Sequence, residues 1–279
     1  MNHAQVSTSH GASAAFVRRA AAIAIILSAA IPIYVLLKQA MTPEVESFAW
    51  PPFWLPHRVT AAHLESVFTV GELRASIIRS IAVALICGVA ATVMGAMMGY
   101  AMARSGWGRR TGMTAVTATR LLPMIAVALP LALAFIVTGL YDRPSAIGLA
   151  LVHTALALPM TALVLFPAFL AIPLEIEEAA FLDGAAPLRI FLTIDLPLAR
   201  GALAAAFILS FILSWDEFGF ALLLQVTNRT LPPLLYYYTV FGDIGAGSAL
   251  ALLMMIPAIC VVIALRPVFR GALMAGSFR

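Results

Sequence analysis

Few residues in this chain are equipped for chemistry, and the most conspicuous lie where charge is costly. Ser214-Trp215-Asp216-Glu217-Phe218 interrupts a long apolar run near its end. Carboxylates in such a run face a desolvation penalty, so they mark a solute pathway, a partner cation or the membrane–water interface. Neighbouring helical residues project about 100° apart, so Asp216 and Glu217 cannot share one direction and are expected to have different roles. Trp215 could stack on a ring, and the acids can accept hydrogen bonds from hydroxyls. His153 stands in another apolar run. It reads as an interhelical hydrogen-bonding residue or as a ligand.

No catalytic constellation accompanies them. The sequence has no Gly-x4-Gly-Lys-Ser/Thr loop, and so no nucleotide cradle of that kind. It has no His-Glu-x-x-His and no Gly-x-Ser-x-Gly. Cys87 and Cys260 both sit inside apolar runs and read as small buried hydrophobes, neither a disulfide nor a metal pair. No catalytic residue, metal or cofactor is expected, and the chain reads as non-enzymatic.

The elements that position these groups are membrane helices. Of 279 residues, 62% are hydrophobic and only 11% charged, with a mean hydropathy of +1.00. A soluble domain of this length needs more polar surface, so an integral, all-α membrane protein is expected. The net charge of +4 does not imply nucleic acid, because the arginines fall at the ends of apolar runs rather than on one patch.

Six spans are predicted. The first is Ala20–Leu37, after a polar, loose stretch from Met1 to Ala15 and the pair Arg18-Arg19. It is longer than the roughly 7–15 residues of a signal-peptide core, so a retained helix is expected. A long outer segment follows, with Pro-rich, aromatic residues 48–56 and a surface helix over Thr60–Arg79. The second span is Ser80–Ala103, with Ala91, Gly95, Gly99 and Ala103 four apart, a stripe that admits a close helix neighbour. The third is Leu121–Tyr141, with Arg120 at its entrance, and the fourth Ala146–Ile172. The fifth is Gly201–Gln225. Val226–Asp243 reads as a loop, and Ile244–Leu265 as the sixth span.

With the N-terminus inside, ten basic residues fall on inner segments: Arg18, Arg19, Arg104, Arg109, Arg110, Arg189, Arg200, Arg266, Arg270 and Arg279. Six fall outside: Lys38, Arg58, Arg74, Arg79, Arg143 and Arg229. That bias places the segment between the fourth and fifth spans in the cytoplasm. The chain divides accordingly into a tail (1–19), a first helix with its outer loop (20–79), a transmembrane core (80–265) and a second tail (266–279).

The inner segment has its own punctuation. Glu175 to Asp183 reads as a short helix with acids in its first turn, where they face the positive end of the helix dipole. Gly184 stops it, Pro187 can open a second helix, Ile190, Phe191 and Ile194 repeat at helical spacing, and Pro197 ends it. The result is a helix–Gly–helix elbow outside the bilayer.

This elbow resembles the "EAA" loop of membrane subunits of binding-protein-dependent ABC importers. That pattern is Glu-Ala-Ala, three residues, Gly, nine residues, Ile, one residue, Leu-Pro. It falls without a gap on Glu178, Ala179, Ala180, Gly184, Ile194, Leu196 and Pro197, with Asp183 beside the glycine. Carbohydrate-type members (the maltose and glycerol-phosphate kind) often carry Trp-Asn-Glu-Phe and then Thr-Leu-Pro. Here the matches are Trp215-Asp216-Glu217-Phe218 and Thr230-Leu231-Pro232, with Asp216 replacing the usual Asn. The tail Gly271–Gly276 also looks like that family's glycine-rich end.

The resemblance implies a type I importer permease in the bacterial inner membrane. It implies a second permease subunit, two ATP-binding subunits that bind the ATP, and an extracytoplasmic solute-binding protein as partners. It implies coupling through the elbow, a sugar-like solute passing Trp215, Asp216 and Glu217, and contact with the binding protein at Thr230, Leu231 and Pro232. The rival reading is a proton-coupled secondary transporter using Asp216 or Glu217.

Overall fold

The arginine-flanked apolar runs form helices, and almost every backbone polar group they contain is satisfied within its own segment, as a bilayer requires. The computed structural model describes residues 6–121 and 123–276. In order, the helices are α1 (Val6–Ala40), α2 (Glu44–Ser47), α3 (Ala62–Thr69), α4 (Gly71–Arg104), α5 (Gly106–Thr119), α6 (Met124–Thr138) and α7 (Ile147–Leu170). Then come α8 (Leu174–Leu182), α9 (Pro187–Ile190), a π-turn (Phe191–Asp195), α10 (Leu196–Leu198) and α11 (Arg200–Trp215). The last are α12 (Gly219–Leu224), α13 (Leu231–Val240) and α14 (Ile244–Gly276).

The chain forms two compact units. Met1–Thr69 and Tyr237–Met255 make the first. Its α1 is apolar all round and exposed over its central turns, as a helix facing lipid or another subunit would be. Within this unit Tyr34 donates to the Trp54 carbonyl, and His63 lies 3.8 Å from Asp243.

Val70–Tyr236 and Ile256–Arg279 make the second unit. Its centre is the pair α4 and α7, with α11 against both. Lipid tails are as apolar as leucine, so burial alone gives such helices little reason to associate, and close packing must supply it. The small-residue stripe does this. A Cβ on Gly95 would run into the Thr161 hydroxyl, and one on Gly99 would come within 3.0 Å of the Phe166 amide nitrogen. The core then stacks in layers along α4. Val83, Phe135, Leu149 and Phe220 pack at one end. Cys87, Ala91 and Ala157 fill the middle, and Ala96, Leu165, Phe169 and Ala206 the other end.

Several boundaries differ from expectation. Helix α1 starts at Val6, so the stretch to Ala15 is helical rather than loose; Met1–Gln5 lie outside the described residues. The surface helix expected over Thr60–Arg79 ends at Thr69, where Val70 is extended (ψ 122°), and the rest joins α4. The third span shortens to α6, with Pro123 as its N-cap, and the unforeseen α5 precedes it. The fifth span stops at Trp215 and restarts at Gly219. The loop expected over Val226–Asp243 contains α13, because Pro232 and Pro233 fall in its first turn, where no N–H is needed.

The sixth helix runs on to Gly276. Among the described residues, three helices (16–40, 71–104 and 147–170) are long and apolar enough to cross a membrane, and the bent pair Pro187–Leu198 and Arg200–Trp215 could make a fourth. Ala126–Thr138 and Ile244–Cys260 are shorter apolar helices. Arg279, and the side chains of Arg109, Arg266, Arg270 and the Gly271–Gly276 tail, lie outside the described residues.

Candidate functional site

The elbow is built as its punctuation requires. Gly184 has φ +84°, the left-handed conformation that a side chain disfavours. Its N–H donates to the Phe181 carbonyl (2.9 Å), and Ala185 N–H donates to Ala180 (3.0 Å). Together these form a Schellman cap on α8. Pro187 occupies the first turn of α9. The chain then passes through the π-turn and α10 and bends by 79° into α11. Glu178, Ala179, Asp183, Gly184 and Pro197 are exposed, while Ala180, Ile194 and Leu196 are half-buried. Phe181 and Leu182 are exposed too, the latter at 85%. A patch of that kind next to water is a docking surface in want of a partner.

What ties the elbow to the helix bundle was not visible in the sequence. Arg104, at the end of α4, donates from Nε to Glu177 Oε1 (2.6 Å), pairs with it again through Nη2, and reaches the Ile172 carbonyl (3.3 Å). Tyr100 donates its hydroxyl to Glu177 Oε2 (3.1 Å). Asp195, in the π-turn, is fully buried, and neither of its oxygens has a hydrogen bond. Its nearest cation is the same Arg104, 4.0 Å away. One guanidinium therefore stands between two carboxylates and is committed to one of them.

Asp216 and Glu217 stand in different surroundings. Glu217 accepts from the backbone N–H groups of Phe220 (2.8 Å) and Ala221 (3.0 Å), capping the first turn of α12. His153 Nε2 lies 3.1 Å from Glu217 Oε2, and Nδ1 lies 2.7 Å from Ser214 Oγ. A neutral imidazole with its proton on Nε2 satisfies both contacts. His153 thus takes the interhelical role, 1% exposed. Asp216 closes α11 and its side chain is exposed. Trp215 is buried, stacked on Phe211 at 6.0 Å with 12° between the rings, so it offers no open face to a solute in this conformation.

A cleft of about 470 Å³ opens at Glu217 and also takes in Thr119 and Arg120. Arg120 stands at the break between α5 and α6.

At the opposite end of the bundle from the elbow, the turn at Asp142 is a clamp. Asp142 has φ 49°, a region that Asp tolerates better than most residues. Its carboxylate accepts from the Thr227 amide (3.0 Å), the Thr227 hydroxyl (2.5 Å) and the Asn228 amide (2.9 Å). Burial alone would raise this carboxyl. The hydrogen bonds from Thr227 and Asn228 outweigh it and hold the group below the usual carboxylate range. Arg79 donates to the Arg229 carbonyl (2.7 Å) and to Asn228 Oδ1 (3.3 Å). The Ser80 hydroxyl accepts from Leu231 N–H (2.8 Å). Thr230, Leu231 and Pro232 are consequently buried, so their side chains are closed to an outside protein here, while Val226 and Thr227 beside them are exposed.

Interrupted helices around a polar cleft, inside a bundle that carries a protruding glycine elbow, define a solute permease. Residues 91–271 match the family described as binding-protein-dependent transport system inner membrane component, and the chain belongs to that family. It is a membrane subunit of an ABC importer. It is 33% identical to the trehalose transport system permease protein SugB of Mycobacterium tuberculosis, over 80% of this chain and 81% of that protein. It is 30% identical to the sulfoquinovosyl glycerol transport system permease protein SmoH of Agrobacterium fabrum, over 81% of each. Among solved structures, a bacterial ABC transporter involved in import of the acidic polysaccharide alginate superposes with a TM-score of 0.72. That match covers 97% of this chain and 99% of that chain at 20% identity, a likeness of fold.

Proposed function

We propose that this chain forms half of the translocation pathway for a sugar or sugar-like solute, beside a second permease subunit, and couples through its elbow to two separate ATP-binding subunits. The observation that carries the coupling is the elbow itself. A Schellman-capped pivot presents exposed Glu178, Ala179, Asp183 and apolar neighbours on one side. On the other side Arg104 holds Glu177 to the end of α4. An ATPase that moves α8 must therefore pull on α4. Ala179 and Ala180 are small enough to seat in a cleft of that partner, and the positive-inside bias puts them in the cytoplasm. ATP binds to the partner subunits and no cofactor is assigned to this chain.

The sugar class is supported by the relatives' own solutes: trehalose, sulfoquinovosyl glycerol and, for another relative at 27% identity, diacetylchitobiose. An extracytoplasmic binding protein would meet exposed Val226 and Thr227 first, and Thr230-Leu231-Pro232 only after the clamp opens. Asp216 faces the pathway, while Glu217 and His153 hold the helix break that shapes it.

The test is uptake by proteoliposomes holding this chain with its partner permease, ATPase and loaded binding protein. Uptake should require ATP and the binding protein together. Uptake driven by a proton gradient without ATP would overturn the coupling and restore Asp216 or Glu217 as proton carriers.

A further inference from the structure

The cleft at the helix breaks has a depth that its sequence position conceals. Helix α5 rises 14 residues from the end of α4, about 20 Å at 1.5 Å per residue, before reaching Arg120. The same cleft is lined by Ala155 and Pro159, midway along the 24-residue α7, and by Leu213, near the far end of α11. Arg120 thus sits near the middle of the bilayer, where a guanidinium needs water or a polar partner.

The obvious counter-charge is already occupied. Glu217 lines this cleft, yet its oxygens accept from two backbone N–H groups and face His153. No ion pair to Arg120 forms among the described residues. The cleft also holds a spare acceptor. Pro159 has no N–H to give the Ala155 carbonyl four residues back. Arg120 supplies donors; the Ala155 carbonyl and the remaining lone pair of Glu217 Oε1 supply acceptors, with both signs of charge present. The Thr119 hydroxyl is already donated to the Val116 carbonyl (2.8 Å).

Resting on the permease reading above, we propose that Arg120 is a solute-selecting residue of the midplane pathway, and that the cleft takes a neutral, polyhydroxylated ring. The guanidinium donates to ring and hydroxyl oxygens on one edge, and solute hydroxyls donate to the carbonyl and carboxylate on the other. A solute with a fixed negative charge would be held by Arg120 but repelled by Glu217, so it is the poorer ligand.

The experiment measures uptake of labelled trehalose, diacetylchitobiose and an acidic disaccharide by the reconstituted complex, wild type against Arg120→Gln and Arg120→Lys. The wild type should take up a neutral probe best. Arg120→Gln should raise its half-saturating concentration roughly ten- to hundredfold, the weight of one charged hydrogen bond, with a smaller effect on maximal rate. Arg120→Lys should recover part of that loss. An unchanged half-saturation in Arg120→Gln overturns this inference and leaves the permease reading intact. Preference for the acidic probe overturns the neutral class. Uptake of none of the probes by the wild type counts against the sugar permease reading itself.

A solute-independent check uses Arg120→Cys in a Cys260→Ser background with a small water-soluble thiol reagent. Labelling in at least one nucleotide state is expected. No labelling in any state would put residue 120 against lipid or the second permease and overturn the assignment.

Discussion

Replacing Gly184 with valine puts a β-branched side chain on a residue with φ +84°. No heavy atom lies within 4 Å of where its Cβ would sit, so steric collision contributes nothing and the whole cost is conformational. That cost is about 1–3 kcal/mol for a side chain held in the left-handed region. The short α8 offers only the two cap hydrogen bonds to resist it, Gly184 N–H to Phe181 and Ala185 N–H to Ala180. Each is worth about 1 kcal/mol net, so the cap should open rather than hold the strain. Opening re-aims Glu178, Ala179 and Ala180, while the cleft at Arg120 stays as it was. Asparagine tolerates positive φ, so Gly184→Asn is the matched control. The assay follows binding-protein-stimulated ATP hydrolysis and solute uptake together in one reconstituted preparation. Gly184→Val should insert and fold, lose about tenfold or more of its uptake, and lose stimulation of hydrolysis; Gly184→Asn should keep most of both. Wild-type values for the valine variant would show that the elbow is a plain linker. Equal damage from asparagine would show that bulk at a partner surface matters, not backbone conformation.

Three further outcomes are expected. Gly95→Leu should force α4 from α7 at Thr161 and Ala162 and destabilise the subunit by about 1–3 kcal/mol; Gly71→Leu, whose Cβ meets nothing within 4 Å, should not, and thermal unfolding in detergent compares them. Asp142 has a folded-state pKa below its unfolded value of about 3.9, so its contribution is complete above that value and is lost as pH falls through the lowered one. Hydrogen exchange at the Thr227 and Asn228 amides, corrected for intrinsic rate, should therefore accelerate at acid pH in the wild type and be fast at every pH in Asp142→Ala. Asp216→Ala should cut uptake with the complex assembled, whereas Glu217→Ala strips the α12 cap and leaves His153 short of a partner, so it should lower assembly as well; size-exclusion chromatography beside uptake separates the two.

The elbow was legible because its instructions are local: acids, a glycine and a proline each act within one turn of where they stand. Membrane character was legible from composition for the same reason, since every apolar run declares itself. The broken third and fifth spans were harder. The threonines and Arg120 before Leu121 placed the start of the span there, so α5 was hidden, and Pro123 was the one sign of a later restart. The use of Glu217 as a helix cap was hidden because it depends on amides that lie beyond the break. Helix α13 was hidden because two consecutive prolines signal a stop unless they fall in a first turn. The pairings Arg104 with Glu177 and His153 with Glu217 join residues more than sixty positions apart, and no local pattern encodes such a meeting. The Asp142 clamp was hidden because its partners, Thr227 and Asn228, lie more than eighty positions along the chain.

Helix α4 is 34 residues long, so it reaches about 50 Å from end to end. One end carries Glu72, which pairs with Arg229 (3.3 Å), and about two turns further in Arg79 and Ser80 hold residues 228–231. The other carries Arg104, which holds Glu177. A single rod is thus tethered by charged and polar links at both tips, and toward its Arg104 end it is packed closely on α7 at Gly95 and Gly99. A body latched at both ends transmits in both directions. If a protein seated on the outer tip favours one position of the rod, the elbow's occupant feels that preference. By thermodynamic linkage, an occupant that shifts the elbow must change the grip on the outer guest by the same free energy.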